Sequence, residues 1–262
     1  MHKKTKRNYL PHKILAVAFS TVLFFNCATY KETIQDPKYL LEQEMRKEGY
    51  DRKSIDEHID DTVLIFLGWK AKINTFGRLY SNFNDQHKII YRLPDILISS
   101  DLYEIFEASN FIKNKVNKDL ENYNIKTVYG ISLGVVPALY TANHSNSIDK
   151  VILALPADDI SEIIWKSLIT RHIKRKAERK GLTKEDYDIT LNRYDPINNL
   201  DNLQGKEIKV FIAKGDKITP YENAMNLINE MKKLDLDVQV KEVPILGHLL
   251  GGIYSSCHPD WY

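Results

Sequence analysis

The sequence predicts an α/β fold, a compact and mostly parallel sheet of about six strands flanked by helices, and three stretches lead to it. A short β-type run enters Gly130-Ile131-Ser132-Leu133-Gly134, and a helix-like apolar segment beginning Val135-Val136-Pro137-Ala138-Leu139 leaves it. A second apolar run, residues 208–213, feeds directly into Lys214-Gly215-Asp216, a turn carrying one carboxylate. A third, the alternating stretch 238–243, leads to Pro244-Ile245-Leu246-Gly247-His248. Strand, turn and helix in alternation is the pattern of parallel strands joined by helical crossovers.

From the N-terminus, Lys3, Lys4, Lys6, Arg7 and Lys13 precede an apolar run over 14–25 that ends at Asn26-Cys27. That run is short for a membrane-spanning helix and has the charged flank of a secretion signal. The cysteine directly after it resembles a lipobox. The resemblance implies diacylation of Cys27 after cleavage at residue 26, and an exported bacterial lipoprotein held at a membrane. The pattern departs from the usual one at two positions, with Asn26 in place of a small residue and Phe24 in place of leucine. Removing the five basic residues of the signal leaves 32 basic against 35 acidic side chains, so the net charge of +2 becomes −3 and no global electrostatic case for nucleic acid remains.

Residues 27–61 read as a polar tether with one helix, about 38–47, and no strong strand signal. Strands are expected at 62–67, 88–92, 126–130, 150–155, 208–213 and 238–243, within a catalytic domain spanning 62–262. Helical spacing covers 101–123 and 221–234. Between the fourth and fifth strands, 156–203 forms an insertion with a helix-like run over 160–180 and a polar stretch containing Tyr187, Tyr194, Asp195 and Pro196. Its basic part, 171–180, reads as a solvated helix face because the apolar stripe is thin, the alternative being contact with anionic headgroups.

The chemistry lies at the carboxyl ends of the strands. A serine between two glycines at a strand-to-helix turn is forced into a strained conformation, and glycines remove the clashes so sharp a reversal would cause. Asp216 and His248 follow later strands, and in an open parallel sheet such ends share one edge. Asp158 and Asp159 also follow a strand and are alternative acids; Asp216 fits the Gly-Asp turn better. Serine, aspartate and histidine in this order resemble the α/β-hydrolase superfamily over roughly residue 62 to the C-terminus. Gly130-x-Ser132-x-Gly134 resembles its nucleophile elbow, Gly215-Asp216 its acid turn and Gly247-His248 its histidine loop.

The resemblance implies a Ser132, Asp216, His248 triad, with the backbone amides of Leu133 and Trp69 as the oxyanion hole and the insertion as a lid. Gly68-Trp69 stands where the family carries its oxyanion loop, with Leu67 in place of the usual histidine, which leaves the loop shape open. Neither C-x-x-C nor H-E-x-x-H spacing occurs, so no metal or organic cofactor is expected. With Cys27 lipidated, Cys257 is left as a single thiol outside any nucleophile context.

The implied activity is hydrolysis of carboxylic esters or related acyl compounds through an acyl-enzyme. Modest length and a polar insertion favour small esters over a long acyl groove. A peptidase or amidase with the same triad, or a catalytically silent lipoprotein that uses the fold for binding, are the alternatives.

Overall fold

The computed structural model describes residues 37–55, 61–83, 86–243 and 247–256. The signal, Cys27, tether residues 28–36 and 56–60, the 244–246 segment and Cys257 lie outside the described residues. Seven strands form one sheet: β1 (Asp51–Ile55), β2 (Thr62–Phe66), β3 (His87–Arg92), β4 (Ile125–Ile131), β5 (Lys150–Ala154), β6 (Glu207–Ala213) and β7 (Val238–Val243). Their spatial order is β1-β3-β2-β4-β5-β6-β7. Every neighbouring pair is parallel except β1 with β3.

The helices are α1 (Pro37–Lys47), α2 (Gly77–Ser81), α3 (Leu102–Asn122), α4 (Val135–His144), α5 (Ile160–Lys166), α6 (Arg171–Arg179), α7 (Lys184–Leu191), α8 (Tyr221–Lys233) and α9 (His248–Ser256). Among the described residues no helix is long and apolar enough to cross a membrane.

Alternation along the strands separates two cores. Leu64, Phe66, Val128, Leu153, Val210 and Ile212 face α3, α4 and α8, against Ile112, Leu139 and Leu227. Val63, Ile65, Tyr129, Ile152 and Phe211 face the other way, against Leu79 and Phe83. Because both faces are covered, β2 reads as an unbroken apolar run with all five residues buried. The edge strand β7 is buried only at Val243, with Gln239 and Glu242 exposed.

The six expected strands are present within one or two residues of their predicted limits. The seventh, β1, lies in a segment whose sequence, Asp-Arg-Lys-Ser-Ile, has no strand signal. It is an antiparallel edge strand that buries little, and its charges guard the open edge against further pairing. Its anchor is Arg52, which grips Asp119 of α3 through Nε at 3.0 Å and a terminal nitrogen at 2.7 Å. Tyr91, opposite Arg52 in the register, donates its hydroxyl to the same carboxylate. A fixed bidentate pair thus places a strand that hydrophobic patterning cannot reveal.

The helix-like run 160–180 is two helices. Thr170, fully buried, donates its hydroxyl to the carbonyls of Ile163 and Ser167, at 2.9 and 3.0 Å. These bonds take up acceptors at the end of α5 and turn the chain before α6 begins. On α6 only Ile173 and Ala177 are buried, which puts the basic side chains on the outside. Together with α7, the insertion closes a small third core around Ile105, Ile160, Ile164, Tyr187 and Tyr194.

One carboxylate ties this insertion together. Asp195 is 6% exposed and accepts the Ile160 amide at 2.9 Å. Burial, more than any neighbouring charge, pushes its pKa up to about 6. Unfolded aspartates ionise near about 3.9, so the folded state holds this proton longer and stability falls as pH rises between those values. Asparagine keeps the acceptor without the charge. Asp195→Asn is therefore expected to gain stability over the parent between pH 4 and 6, levelling off at roughly 3 kcal/mol. Urea unfolding across that range measures it, and a difference independent of pH would refute this account of Asp195.

Candidate active site

Ser132 directly follows β4 with φ at +54°, in the left-handed region. An L-residue there costs about 1–2 kcal/mol, so its surroundings must hold it. A Cβ on Gly130 would lie 2.5 Å from the Gly134 carbonyl oxygen and 2.7 Å from the Ala138 Cβ. One on Gly134 would overlap the Phe66 carbonyl, with the Leu67 oxygen 3.0 Å away. The two glycines thus let α4 start hard against β4 and against the end of β2. The reversal between strand and helix is a single 3₁₀ turn, Ser132–Gly134, with Ser132 at its apex.

The three residues singled out from the sequence meet here. His248 Nε2 lies 2.8 Å from Ser132 Oγ, and its Nδ1 lies 2.7 Å from Asp216 Oδ2. Asp216 Oδ1 accepts the amides of Ile218 and Thr219 at 2.8 and 3.0 Å, while Oδ2 accepts the Thr219 hydroxyl at 2.7 Å. The Thr219 oxygen is also 3.2 Å from His248 Nδ1. A tautomer with hydrogen on Nδ1 satisfies both oxygens and leaves Nε2 free to accept the serine proton. Burial pushes the Asp216 pKa up, but His248, Thr219 and the Ile218 amide outweigh it and hold the carboxyl below its usual range. The side chain is a fixed anion behind the imidazole, 2% exposed against 16% for the histidine.

His248 opens α9 rather than lying within a loop. Gly251 and Gly252 let that helix settle on the sheet edge: a Cβ on Gly251 would stand 3.1 Å from Ala213 Cβ and Leu155 Cδ2, and one on Gly252 would stand 3.0 Å from Ile131 Cδ1. The helix therefore sits over the ends of β4 and β6, which is what carries its first residue to Ser132.

Leu133 is the second residue of the turn. Gly68 lies beside Ser132, since a Cβ there would be 3.1 Å from the serine Cβ and 3.6 Å from its Oγ. The following turn is closed by the Ala71 amide on the Gly68 carbonyl at 3.1 Å, with Lys70 at φ +58°, and that bond does not engage the Trp69 amide. The Trp69 indole donates to the Asp95 carbonyl at 3.0 Å, which fixes the ring as a wall. The cleft over Ser132, about 500 Å³ and open to solvent, is otherwise lined by apolar side chains including Leu133, Val136, Ile160, Ile163 and Ile169.

Asp158 and Asp159 are engaged elsewhere. Asp158 binds the Asn223 and Asn226 side-chain amides at 2.8 and 2.6 Å. Asp159 caps α5 by accepting the Glu162 amide at 2.9 Å. Sequence reasoning passed over Thr219, although a Gly-Asp turn with a hydroxyl three residues after the acid marks a carboxylate held by its own loop. Ile160, Ile163 and Ile169, which line the cleft, carried no comparable signal.

No protein-family model matches the sequence, and no curated protein matches it. Solved structures do. The monoacylglycerol lipase of Paleococcus ferrophilus superposes with a TM-score of 0.54 at 13% identity, over 81% of this chain and 97% of that one. An α/β hydrolase from a sediment metagenome of the Mar Chica lagoon, Morocco, gives 0.53 at 19% identity, over 81% and 90%. The acylaminoacyl peptidase of Pyrococcus horikoshii gives 0.54 at 14% identity, over 80% of this chain but 36% of that one. The chain thus has the α/β-hydrolase fold, and likeness at such identities speaks for fold alone.

The elbow packing is open to direct measurement. Gly134→Ala presses a methyl into the backbone of β2, where nothing flexible can yield, and is expected to cost about 3 kcal/mol or more. Gly181 has a φ of +79° but nothing within 4 Å of a built Cβ, so Gly181→Ala carries only backbone strain, about 1 kcal/mol. Urea unfolding of both variants tests the contrast, and equal losses would mean the elbow is loosely packed.

Proposed function

We propose that the protein is a serine hydrolase that cleaves carboxylic esters or related acyl compounds. The observation that carries this reading is the unbroken line of hydrogen bonds from Asp216 through His248 to a serine in the left-handed conformation. Among the similar solved structures is a monoacylglycerol lipase, which is consistent with ester chemistry.

In this mechanism His248 Nε2 takes the proton from Ser132 Oγ as the oxygen attacks the acyl carbon. Asp216 and Thr219 hold the Nδ1–H, and the anionic carboxylate stabilises the imidazolium that forms. The Leu133 and Trp69 amides receive the charge developing on the carbonyl oxygen, each donor of this kind supplying roughly a hundred- to thousandfold in turnover. The imidazolium then protonates the leaving alcohol. Water, activated by the same nitrogen, releases the acid from the acyl-enzyme.

A fluorophosphonate probe is expected to label Ser132, because labelling needs a working base and oxyanion site. Ser132→Ala should abolish both labelling and p-nitrophenyl ester turnover, and Asp216→Asn should lower kcat by roughly ten-thousandfold with the fold intact. Failure of the parent to label and to turn over any ester would defeat the reading and favour a binding role. Faster cleavage of aminoacyl amides than of matched esters would reassign it as a peptidase.

We further propose that Cys27 is acylated and holds the enzyme at a membrane on the exported side. The charged flank, the short apolar run and the cysteine after it support this. Cys27→Ala is expected to lose palmitate incorporation and move to the soluble fraction, and unchanged membrane retention would refute the anchor.

A further inference from the structure

We propose that a second cavity, between α3 and α4, is an acyl-chain site, and that the substrates are esters of medium- to long-chain fatty acids. The proposal rests on the reading of Ser132 as the acyl-accepting nucleophile. The cavity is a groove open to solvent, about 740 Å³ with its mouth included, against about 500 Å³ for the cleft over the serine measured the same way. Leu133, Val136 and Ile160 line both spaces, so the two adjoin at these side chains. Leu133 and Val136 are only half-buried, which leaves room for them to turn aside.

The lining follows one face of each helix. From α3 come Ile105, Ser109, Ile112, Val116 and Leu120, at helical spacing, and from α4 come Val136, Pro137, Tyr140, Thr141 and His144. At 1.5 Å per residue, the stretch from Val136 to His144 is about 12 Å long, roughly the length of ten extended methylene groups. Both helices run away from the serine: Ile105 packs with Ile160 near the cleft, whereas Lys113 lies 5.7 Å over the ring of Tyr140. His144 stacks on Tyr140 at 4.1 Å and ends α4.

The space is thus apolar where the first carbons of an acyl group on Ser132 would lie and polar at the far end. A small acyl group would fill none of it. A chain of about ten carbons would cover the apolar stretch, and a longer one would leave by the polar end. Burial of each methylene is worth about fourfold in binding, so preference should rise steeply with chain length. Chain length and the polar insertion suggested small esters; two helix faces that pass as ordinary core positions in the sequence point the other way.

The test uses the chain-length profile of p-nitrophenyl esters from acetate to palmitate, together with binding of dansyl-undecanoic acid to Ser132→Ala protein. For the parent, kcat/KM is expected to rise two- to fourfold per methylene to about ten carbons and then level. Ser109→Phe, one turn along α3 from Ile105, should cut the rise off at about six carbons. Asn117→Trp, on the exposed far end, should cut it off only for chains beyond about ten carbons. Dodecanoate, and not butyrate, should displace the dansyl probe.

Preference for acetate or butyrate in the parent, or a single profile shared by both variants, would overturn the proposal. Ester turnover with neither chain-length preference nor probe binding would reject the acyl site while leaving the hydrolase reading standing. Probe binding sensitive to Ser109→Phe, in a protein that neither labels nor turns over esters, would do the reverse: the site would hold as a fatty-acyl binding site and the hydrolase reading would fail.

Discussion

The close approach of α4 to the end of β2 is the contact on which the remaining geometry depends. Gly134 brings the first turn of the helix onto the Phe66 carbonyl, and Gly130 lets the same turn lie over its own strand. With both contacts in place Ser132 stands at φ +54°, and that strain is borne by packing around a fully buried strand. The elbow is therefore only as rigid as β2. The same contact decides what can stand opposite the serine, because the chain leaving β2 at Leu67 and Gly68 runs directly past it.

The other two members of the hydrogen-bonded line arrive by different physical means. Asp216 is positioned by its own loop: two amides and the Thr219 hydroxyl hold the carboxylate before the histidine reaches it. His248 is positioned by a helix that follows it, seated through Gly251 and Gly252 on the ends of the strands. Preorganisation is thus shared between a turn and a helix, so no single flexible loop sets the serine-to-imidazole distance.

Much of this was legible in the sequence for a specific reason. Buried parallel strands are unbroken apolar runs, and each one that ends in a small, polar turn declares both a strand and an edge position. Ser132, Asp216 and His248 were all read from that junction, and the structure brings them together. What escaped had no such junction. Strand β1 is held by Arg52 and Asp119, residues 67 positions apart whose pairing leaves no local trace. The division between α5 and α6 depends on one buried threonine hydroxyl, and a threonine in a helical stretch is not by itself a stop. The α3–α4 cavity is invisible for the opposite reason, since its lining has the spacing of a normal core face.

Strain in the backbone is distributed to the same end. Of the four non-glycine residues with positive φ among those described, three follow strands at the carboxyl edge: Lys70 after β2, Ser132 after β4 and Leu155 after β5. At about 1–2 kcal/mol each, this is a substantial local cost for a domain whose net stability is only of order 10 kcal/mol. Each is pinned by a neighbour that has nowhere else to go. Lys70 lies in the turn closed by Ala71 on Gly68, and Leu155 is tied to the Phe211 carbonyl at 2.8 Å beneath Gly251. The fourth, Asp235, stands in the turn between α8 and β7 and touches none of this. Concentrating unfavourable conformations on one edge is sustainable because the strands behind it are buried on both faces. A sheet with a solvated face would relax them, and the serine, the histidine helix and the loop after β2 would lose their common reference.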